Sequence, residues 1–197
     1  HSQEILDNMC DMAHLGPTHG CPSEYFENEA KDHKFIQRQG GPMQLDNAYL
    51  YTTTWYTGPG ILLSKQVWGE TVAYELIVNT PVDDGVSKCW HGVLYKGINK
   101  VATEADKAAA IATQAGALEA FATDFEIWKH KRPALKIMQL KSDGPFRTGR
   151  KWYSQFYATP EDAEAIKGEV NGIHLTEGMR TPAEANHAID DDLPFNQ

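Results

Sequence analysis

The first stretch of the chain combines apolar and polar side chains at the spacing of a helix. In residues 2–14, Ile5 and Met9 lie on an apolar stripe, and Asp11 and His14 lie on a polar stripe beside it. This pattern predicts an amphipathic helix. We expect the glycine and proline at positions 16 and 17 to end it, because proline disrupts the helical hydrogen-bond pattern.

A different pattern begins after residue 44, where short runs of aromatic and β-branched residues alternate with tight turns. The preceding residues 24–40 are polar and are predicted to form a loop. Short strands at a spacing of about ten residues are typical of an antiparallel meander. The predicted strands are residues 45–56, 61–68, 71–80 and 86–95.

Helices are predicted for most of the remaining chain. Thr103 and Asp106 match a capping box at the start of an alanine-rich helix, which we expect to end near residue 131. Threonine followed by proline indicates two later helices, after Thr159 and Thr181. Strands followed by helices predict an α+β fold in which helices cover one face of an antiparallel sheet.

Composition narrows the class of protein. The chain has 197 residues, of which 41% are hydrophobic, and we expect a single domain over residues 1–197. A net charge of −9 argues against nucleic-acid binding. Three cysteines do not make a disulfide framework, so we expect a reducing, cytoplasmic location. No apolar run approaches the roughly 20 residues of a membrane span, and no signal-peptide pattern opens the chain.

Two histidines near the end of the first predicted helix are candidate metal ligands. On one continuous helix His14 and His19 would point about 140° apart, too far to share a ligand. A turn at Gly16 and Pro17 would instead bring His19 back towards His14. Asp11 lies one helical turn before His14, where it could contact the ring and fix its tautomer. The spacing equally fits two solvent-exposed histidines.

A carboxylate also interrupts the apolar stripe of the long predicted helix. Asp124 costs several kcal/mol to bury there unless it is paired, protonated or bound to a cation. It is therefore either an ion-pair partner of a lysine or arginine, or a third metal ligand beside His14 and His19. Two histidines and one carboxylate form the facial triad that binds non-haem Fe(II) and leaves positions open for dioxygen. Glu126, by contrast, has the neighbours of a solvent-exposed face. The helical neighbours of Asp124 are Ala117, Ala120, Phe121, Ile127 and Trp128.

Taken together and in this order, the motifs resemble the catalytic domain of Rieske non-haem iron oxygenases. Asp11-x2-His14-x4-His19 is followed, much later in the chain, by Asp124-x2-Ile127-Trp128. The closest resemblance is to the branch that contains 3-ketosteroid 9α-hydroxylase oxygenases and cholesterol 7-desaturases of the Neverland type. Further matching segments are residues 58–61, 79–84, 128–131, 143–145 and 150–157.

The resemblance implies a role for each of these residues. His14, His19 and Asp124 would hold a mononuclear Fe(II). Asp11 would connect this site, through hydrogen bonds to a histidine of a neighbouring subunit, with the source of electrons. The implied reaction is the O2-dependent hydroxylation or desaturation of an apolar, steroid-like substrate.

The family's fold is also implied: a helix-grip, START-like sheet wrapped around helices. Substrate would bind in an apolar cavity between the sheet and the helices, with aromatic and aliphatic side chains of residues 45–56 and 61–68 as candidate walls. Either Asn8 or Asp7 would lie near the iron, and the sequence leaves open which of the two.

One part of such an enzyme has no counterpart in the sequence. A Rieske [2Fe–2S] cluster needs two cysteines and two histidines, usually as C-x-H followed by C-x2-H. Cys89 and His91 have the first spacing, but no C-x2-H occurs. We expect Cys89 to pack in a strand as a small apolar residue. The cluster is therefore expected on a separate Rieske domain, with this chain as a catalytic fragment. The resemblance further implies ferredoxin and reductase as electron donors and a homotrimer for the full-length protein.

Two other functions remain compatible with these residues. A non-enzymatic lipid- or steroid-binding module would have the same helix-grip fold without a metal. A zinc hydrolase would use the same three ligands, because catalytic zinc also combines nitrogen and oxygen ligands with an open position.

Overall fold

A seven-stranded antiparallel sheet forms the framework of the protein in the computed structural model, which describes residues 1–45, 48–97, 100–132, 134 and 136–179. The strand order is β6-β5-β4-β3-β2-β1-β7, so β1 to β6 follow one another as a meander and β7 pairs with β1. The strands are β1 (Tyr25–Lys31), β2 (Lys34–Pro42), β3 (Tyr49–Thr57), β4 (Ile61–Trp68), β5 (Thr71–Asp83), β6 (Val86–Tyr95) and β7 (Gly172–Leu175).

Helices of the described chain pack on one side of this sheet. Helix α3 contacts α2 and β6, α1 contacts α4, and α5 contacts α4 and β1. The main core lies between the two layers and contains the fully buried side chains of Leu6, Phe35, Tyr56 and Trp152. The helices are α1 (Gln3–Cys10), α2 (Leu15–His19), α3 (Glu104–Trp128), α4 (Phe146–Ser154) and α5 (Pro160–Val170).

This architecture confirms the α+β class and the antiparallel sheet covered by helices. The four predicted strands are confirmed as β3 to β6, and the long helix is confirmed as α3. Its capping box is present, since Thr103 Oγ1 accepts a hydrogen bond from the Asp106 amide and Asp106 Oδ2 accepts one from the Thr103 amide. Helix α5 begins after Thr159 as expected, whereas the helix predicted after Thr181 lies outside the described residues. None of the described helices is long and apolar enough to cross a membrane.

The loop predicted for residues 24–40 is wrong, because β1 and most of β2 occupy this segment. Their outward face buries the charged side chains of Glu27 and Arg38 beside the apolar side chain of Ile36. Arg38 lies 2.9 Å from Glu27 and 2.7 Å from Glu29 across the two strands. Paired charges removed the hydrophobic alternation by which a strand is normally identified.

The prediction of one helix over residues 2–14, ended by Gly16 and Pro17, is also wrong. Helix α1 ends at Cys10, and Asp11 has an extended backbone with φ −92° and ψ 92°. Gly16 and Pro17 lie inside α2. Proline is tolerated there because the first helical turn leaves its amide groups without intrahelical partners.

Candidate metal centre

Asp124 lies on the face of α3 that is turned towards the sheet and the first two helices. The residue is 4% exposed, which confirms the burial expected from its apolar neighbours. Asn8 Nδ2 donates a hydrogen bond to Asp124 Oδ1 at 3.1 Å, and His19 Nε2 lies 3.5 Å from the same oxygen. Neither of these partners is a lysine or an arginine. The described contacts therefore do not support the ion-pair interpretation of this carboxylate.

Helix α2 determines the positions of the two histidines. His14 is the residue before its first turn and His19 is its last residue. The ring centroids are 5.1 Å apart, with an angle of 81° between the planes. The two rings thus meet as expected, although the break in the helix occurs at Asp11 and not at Gly16 and Pro17.

The structure brings together ligand atoms from His14, His19 and Asp124. One atom from each side chain lies within 4.8 Å of the other two, and no other such group of His, Cys, Asp or Glu is found among the described residues. Burial lowers the pKa of His14, an effect that the Asp11 and Asp124 carboxylates oppose. A lowered pKa favours the neutral imidazole, which is the form that binds a metal. The donor set fits the facial arrangement that binds non-haem iron.

Asp11 contacts His14 as expected, but mainly through its backbone. His14 Nδ1 lies 2.5 Å from the Asp11 carbonyl oxygen and 3.9 Å from its carboxylate. The carbonyl can only accept, so the proton lies on Nδ1 and Nε2 is left free to bind a metal. The Asp11 carboxylate accepts a hydrogen bond from the Ala13 amide and is 37% exposed.

The contacts distinguish Asn8 from Asp7. Asn8 lines the cavity described below and contacts Asp124. Asp7 is 2% exposed and pairs with the Arg150 guanidinium, at 3.0 Å from Nε and 2.6 Å from Nη2, with Lys131 Nζ at 3.4 Å. The side chain near the three candidate ligands is therefore the amide, and the neighbouring acid connects α1 to α4.

A cavity of about 280 Å³ adjoins the candidate ligands, between the sheet and the helices. His14, His19 and Asp124 line it, and α3 adds the aromatic rings of Phe121 and Trp128. The size is close to the lower end of the range for small-molecule sites. A cavity with nearly the volume of a small-molecule site therefore lies directly beside the candidate metal centre.

The sheet side of this cavity differs from the expectation of aromatic and aliphatic walls. Leu50 and Leu62 do line it, but Trp55 packs against Ile36 and Tyr74 in a separate cluster. Most of the sheet's contribution is polar: Gln37, Gln39, Thr52, Thr54, Ser64, Gln66 and Glu75. These polar residues were not predicted from the sequence. Their signal was the period-2 recurrence of polar side chains within β2, β3 and β4, which places them on one face of the sheet.

The three cysteines are free thiols placed in separate parts of the fold. Cys89 lies in β6 and packs against the main core, as expected. Burial raises the pKa of Cys10, Cys21 and Cys89, which favours the protonated thiol over the thiolate that binds metals. His91 is engaged by Glu75 at 2.6 Å and does not pair with Cys89 in a metal group.

An antiparallel sheet with a helical layer, enclosing two histidines and one carboxylate beside a cavity, is the architecture expected for the catalytic domain of a Rieske oxygenase. Residues 1–157 match the family described as the 3-ketosteroid 9α-hydroxylase C-terminal domain. The chain belongs to this family.

Curated relatives agree with the family match. The chain is 32% identical to a 3-ketosteroid-9-alpha-monooxygenase oxygenase component of Rhodococcus rhodochrous, over 95% of this chain and 55% of that protein. Proteins with the same description in Mycolicibacterium smegmatis and Mycobacterium tuberculosis are 31% and 29% identical, over 94% and 99% of this chain. The chain spans about half the length of these relatives, 55% and 56% for the last two.

Proposed function

We propose that the chain is the catalytic domain of a Rieske-type oxygenase that hydroxylates a steroid-like substrate at a mononuclear Fe(II) site. The ligands in this proposal are His14, His19 and Asp124. The observation that supports it most strongly is the convergence of these side chains, within 4.8 Å, at the edge of a cavity in a member of this family. Fe(II) held by these residues would supply the activation of dioxygen for insertion into a C–H bond.

The chain's own residues orient the ligands. The Asp11 carbonyl accepts a hydrogen bond from His14 Nδ1 and so directs Nε2 towards the site. Asn8 donates to Oδ1 of Asp124, which orients the carboxylate and stabilises its negative charge. Phe121 and Trp128 bring apolar surface to the same cavity, where they would exclude water and pack against an apolar substrate.

Electron entry is assigned in this proposal to Asp11. Its carboxylate is 37% exposed, while its backbone carbonyl contacts the His14 ring. A group at the surface that also touches a candidate ligand is well placed to join an external electron donor to the site. The donor would be a Rieske [2Fe–2S] domain supplied by ferredoxin and reductase, and in a homotrimer it would belong to the neighbouring subunit.

Anaerobic titration with Fe(II) tests the ligand assignment. The wild-type protein is expected to bind one equivalent. Asp124→Ala and His14→Ala are each expected to lower the affinity by more than about 100-fold, because the loss of a mere outer-sphere partner already costs 10–100-fold. Glu126→Ala is the matched control, since this exposed carboxylate lies two residues away on α3 and pairs with Lys129 instead.

The same titration separates the other candidate functions. An affinity unchanged by Asp124→Ala overturns the ligand assignment. Failure to bind any divalent metal, together with tight steroid binding, would identify a lipid-binding module. Purification with stoichiometric zinc and hydrolytic activity would identify a zinc hydrolase.

A further inference from the structure

A second carboxylate lines the cavity on the sheet side. Glu75 lies on β5 with its side chain 14% exposed, and it shares the cavity with Asp124. Its Oε1 lies 2.6 Å from His91 Nε2, and its Oε2 accepts a hydrogen bond from Gln66 Nε2 at 2.7 Å. Both oxygens are thus held by neighbouring side chains, and neither neighbour is a lysine or an arginine.

The hydrogen bonds of His91 establish which atoms carry protons. Gln114 Nε2 donates to His91 Nδ1 at 2.7 Å, which makes Nδ1 an acceptor and leaves the proton on Nε2. Nε2 then donates to Glu75. The His91 side chain is 5% exposed, and its ring stacks on Phe121 with centroids 5.7 Å apart. The orientation of the Glu75 carboxylate is therefore fixed by Gln66 of β4 and by His91 of β6, and Gln114 of α3 holds His91 in turn.

This arrangement selects the kind of group that a ligand can place against it. A carboxylate has about four acceptor positions and no proton to donate, and two of the positions are used by Gln66 and His91. A ligand hydroxyl can donate to a remaining lone pair. A ligand ketone has only lone pairs of its own, so its oxygen would face the carboxylate oxygens without a hydrogen bond.

We propose that Glu75 is a specificity-determining residue that binds a hydroxyl group of the substrate and makes the cavity prefer a hydroxysteroid to the corresponding ketosteroid. The choice of a steroid skeleton rests on the function proposed above. The hydroxyl preference rests on the hydrogen bonds of Glu75, Gln66 and His91. It would distinguish this chain from the curated relatives, whose descriptions name 3-ketosteroids.

The test compares two steroids that differ in one group. The wild-type protein is titrated with 3β-hydroxy-5α-androstan-17-one and with 5α-androstane-3,17-dione, and binding is followed by calorimetry and by quenching of tryptophan fluorescence. The hydroxysteroid is expected to bind at least about tenfold more tightly, which corresponds to a hydrogen bond to a charged group.

Variants assign this preference to the carboxylate. In Glu75→Gln the preference is expected to fall below about threefold, because an amide both donates and accepts hydrogen bonds. Glu70→Gln, in the exposed turn between β4 and β5, is the matched control and should keep the wild-type ratio. Thermal unfolding checks that each variant is folded.

Equal affinity for the two steroids, tighter binding of the ketone, or no binding of either overturns the inference. A preference that survives in folded Glu75→Gln also overturns it. An Fe(II) titration of the same wild-type sample reports on the proposed function separately. A hydroxyl preference without iron binding would contradict the proposed oxygenase function but support the proposed role of Glu75. Iron binding without the preference would support the oxygenase function and overturn the role of Glu75.

Discussion

Asp7 and Asn8 are adjacent in the chain, yet their side chains serve different parts of the molecule. Asn8 contacts Asp124 at the candidate metal centre. Asp7 forms a two-point ion pair with Arg150 of α4, and this hydrogen bonding raises the pKa of the guanidinium. Because residues in succession on a helix point in different directions, one short helix can supply a group to the site and an anchor to the scaffold.

Removal of the Arg150 charge tests this division at the residue level. Arg150→Met leaves the buried Asp7 with only the longer contact to Lys131, so the free energy of unfolding should fall by about 3 kcal/mol. Arg147→Met, at an exposed position of the same helix, should change it by less than about 0.5 kcal/mol. Urea unfolding measures both. Equal effects of the two substitutions would show that the buried ion pair between Asp7 and Arg150 does not contribute specifically to the free energy of unfolding.

At the scale of elements, the sequence predicted those segments whose pattern matches their final environment. Helix α3 and strands β3 to β6 carry ordinary propensity and turn signals. Strands β1 and β2 lack the usual alternation of apolar and polar residues, because their outward face buries the ion pairs of Arg38. Helix α2 was missed because Gly16 and Pro17 usually interrupt a helix, and only the packed structure shows that they fit its first turn.

Residues 150–157 contributed to the family resemblance in the sequence, and in the structure they anchor a distant hairpin. Trp152 Nε1 and Gln155 Nε2 donate hydrogen bonds to the Asp32 carbonyl oxygen at 2.8 and 3.1 Å. Asp32 occupies the β1–β2 turn with φ +52°. The segment after α3 thus holds a hairpin that lies far from it in the sequence, which no local pattern could predict.

Packing of α1 against the start of α4 depends on a close backbone approach at Gly144. A Cβ placed there would lie 1.7 Å from the Cys10 carbonyl oxygen. Gly144→Ala should therefore lower the free energy of unfolding by at least about 2 kcal/mol.

Gly116→Ala provides the opposite control. Its Cβ would have no neighbour within 4 Å, and the site lies in the middle of α3. Alanine should stabilise the protein there by about 0.5–1 kcal/mol, because it loses less conformational freedom in a helix. Thermal and denaturant unfolding measure both changes. Destabilisation by both substitutions to a similar degree would contradict the close contact at Cys10.

At the scale of the whole molecule, the candidate site combines groups that are distant in sequence. His14, His19 and Asp124 were predictable as a group because Asp124 interrupts an apolar helical stripe and because the motifs around all three residues resemble one family. Glu75 was not predictable, since a polar residue in a strand is ordinary until cross-strand pairing places it beside Gln66 and His91. The candidate metal ligands are thus visible in the sequence, whereas the polar side of the cavity depends on strand register.

Iron binding should stabilise the entire fold, because the three ligands join α2 to α3. At Fe(II) concentrations about 100 times the dissociation constant, the gain in unfolding free energy is about 2.7 kcal/mol. Anaerobic thermal unfolding with and without Fe(II) measures it. Asp124→Ala should abolish the gain and Glu126→Ala should retain it; an equal gain in both variants would place the metal elsewhere.

Asp11 should matter for electron delivery and not for metal affinity. In an assay with a Rieske protein as electron donor, Asp11→Ala is expected to retain Fe(II) binding and the backbone contact to His14, while the rate of reduction of the site falls by at least about tenfold. Asp84→Ala, in an exposed turn, serves as the control. An unchanged reduction rate would remove Asp11 from the path of electrons.

The most direct measurement is anomalous diffraction at the iron absorption edge from crystals loaded anaerobically with Fe(II). One anomalous peak is expected at the cavity, within bonding distance of a nitrogen of His14, a nitrogen of His19 and an oxygen of Asp124. A peak at any other site would contradict the assignment of this chain as an iron-dependent catalytic domain. The absence of a peak, at an Fe(II) concentration that saturates the wild-type protein in the titration, would contradict it equally.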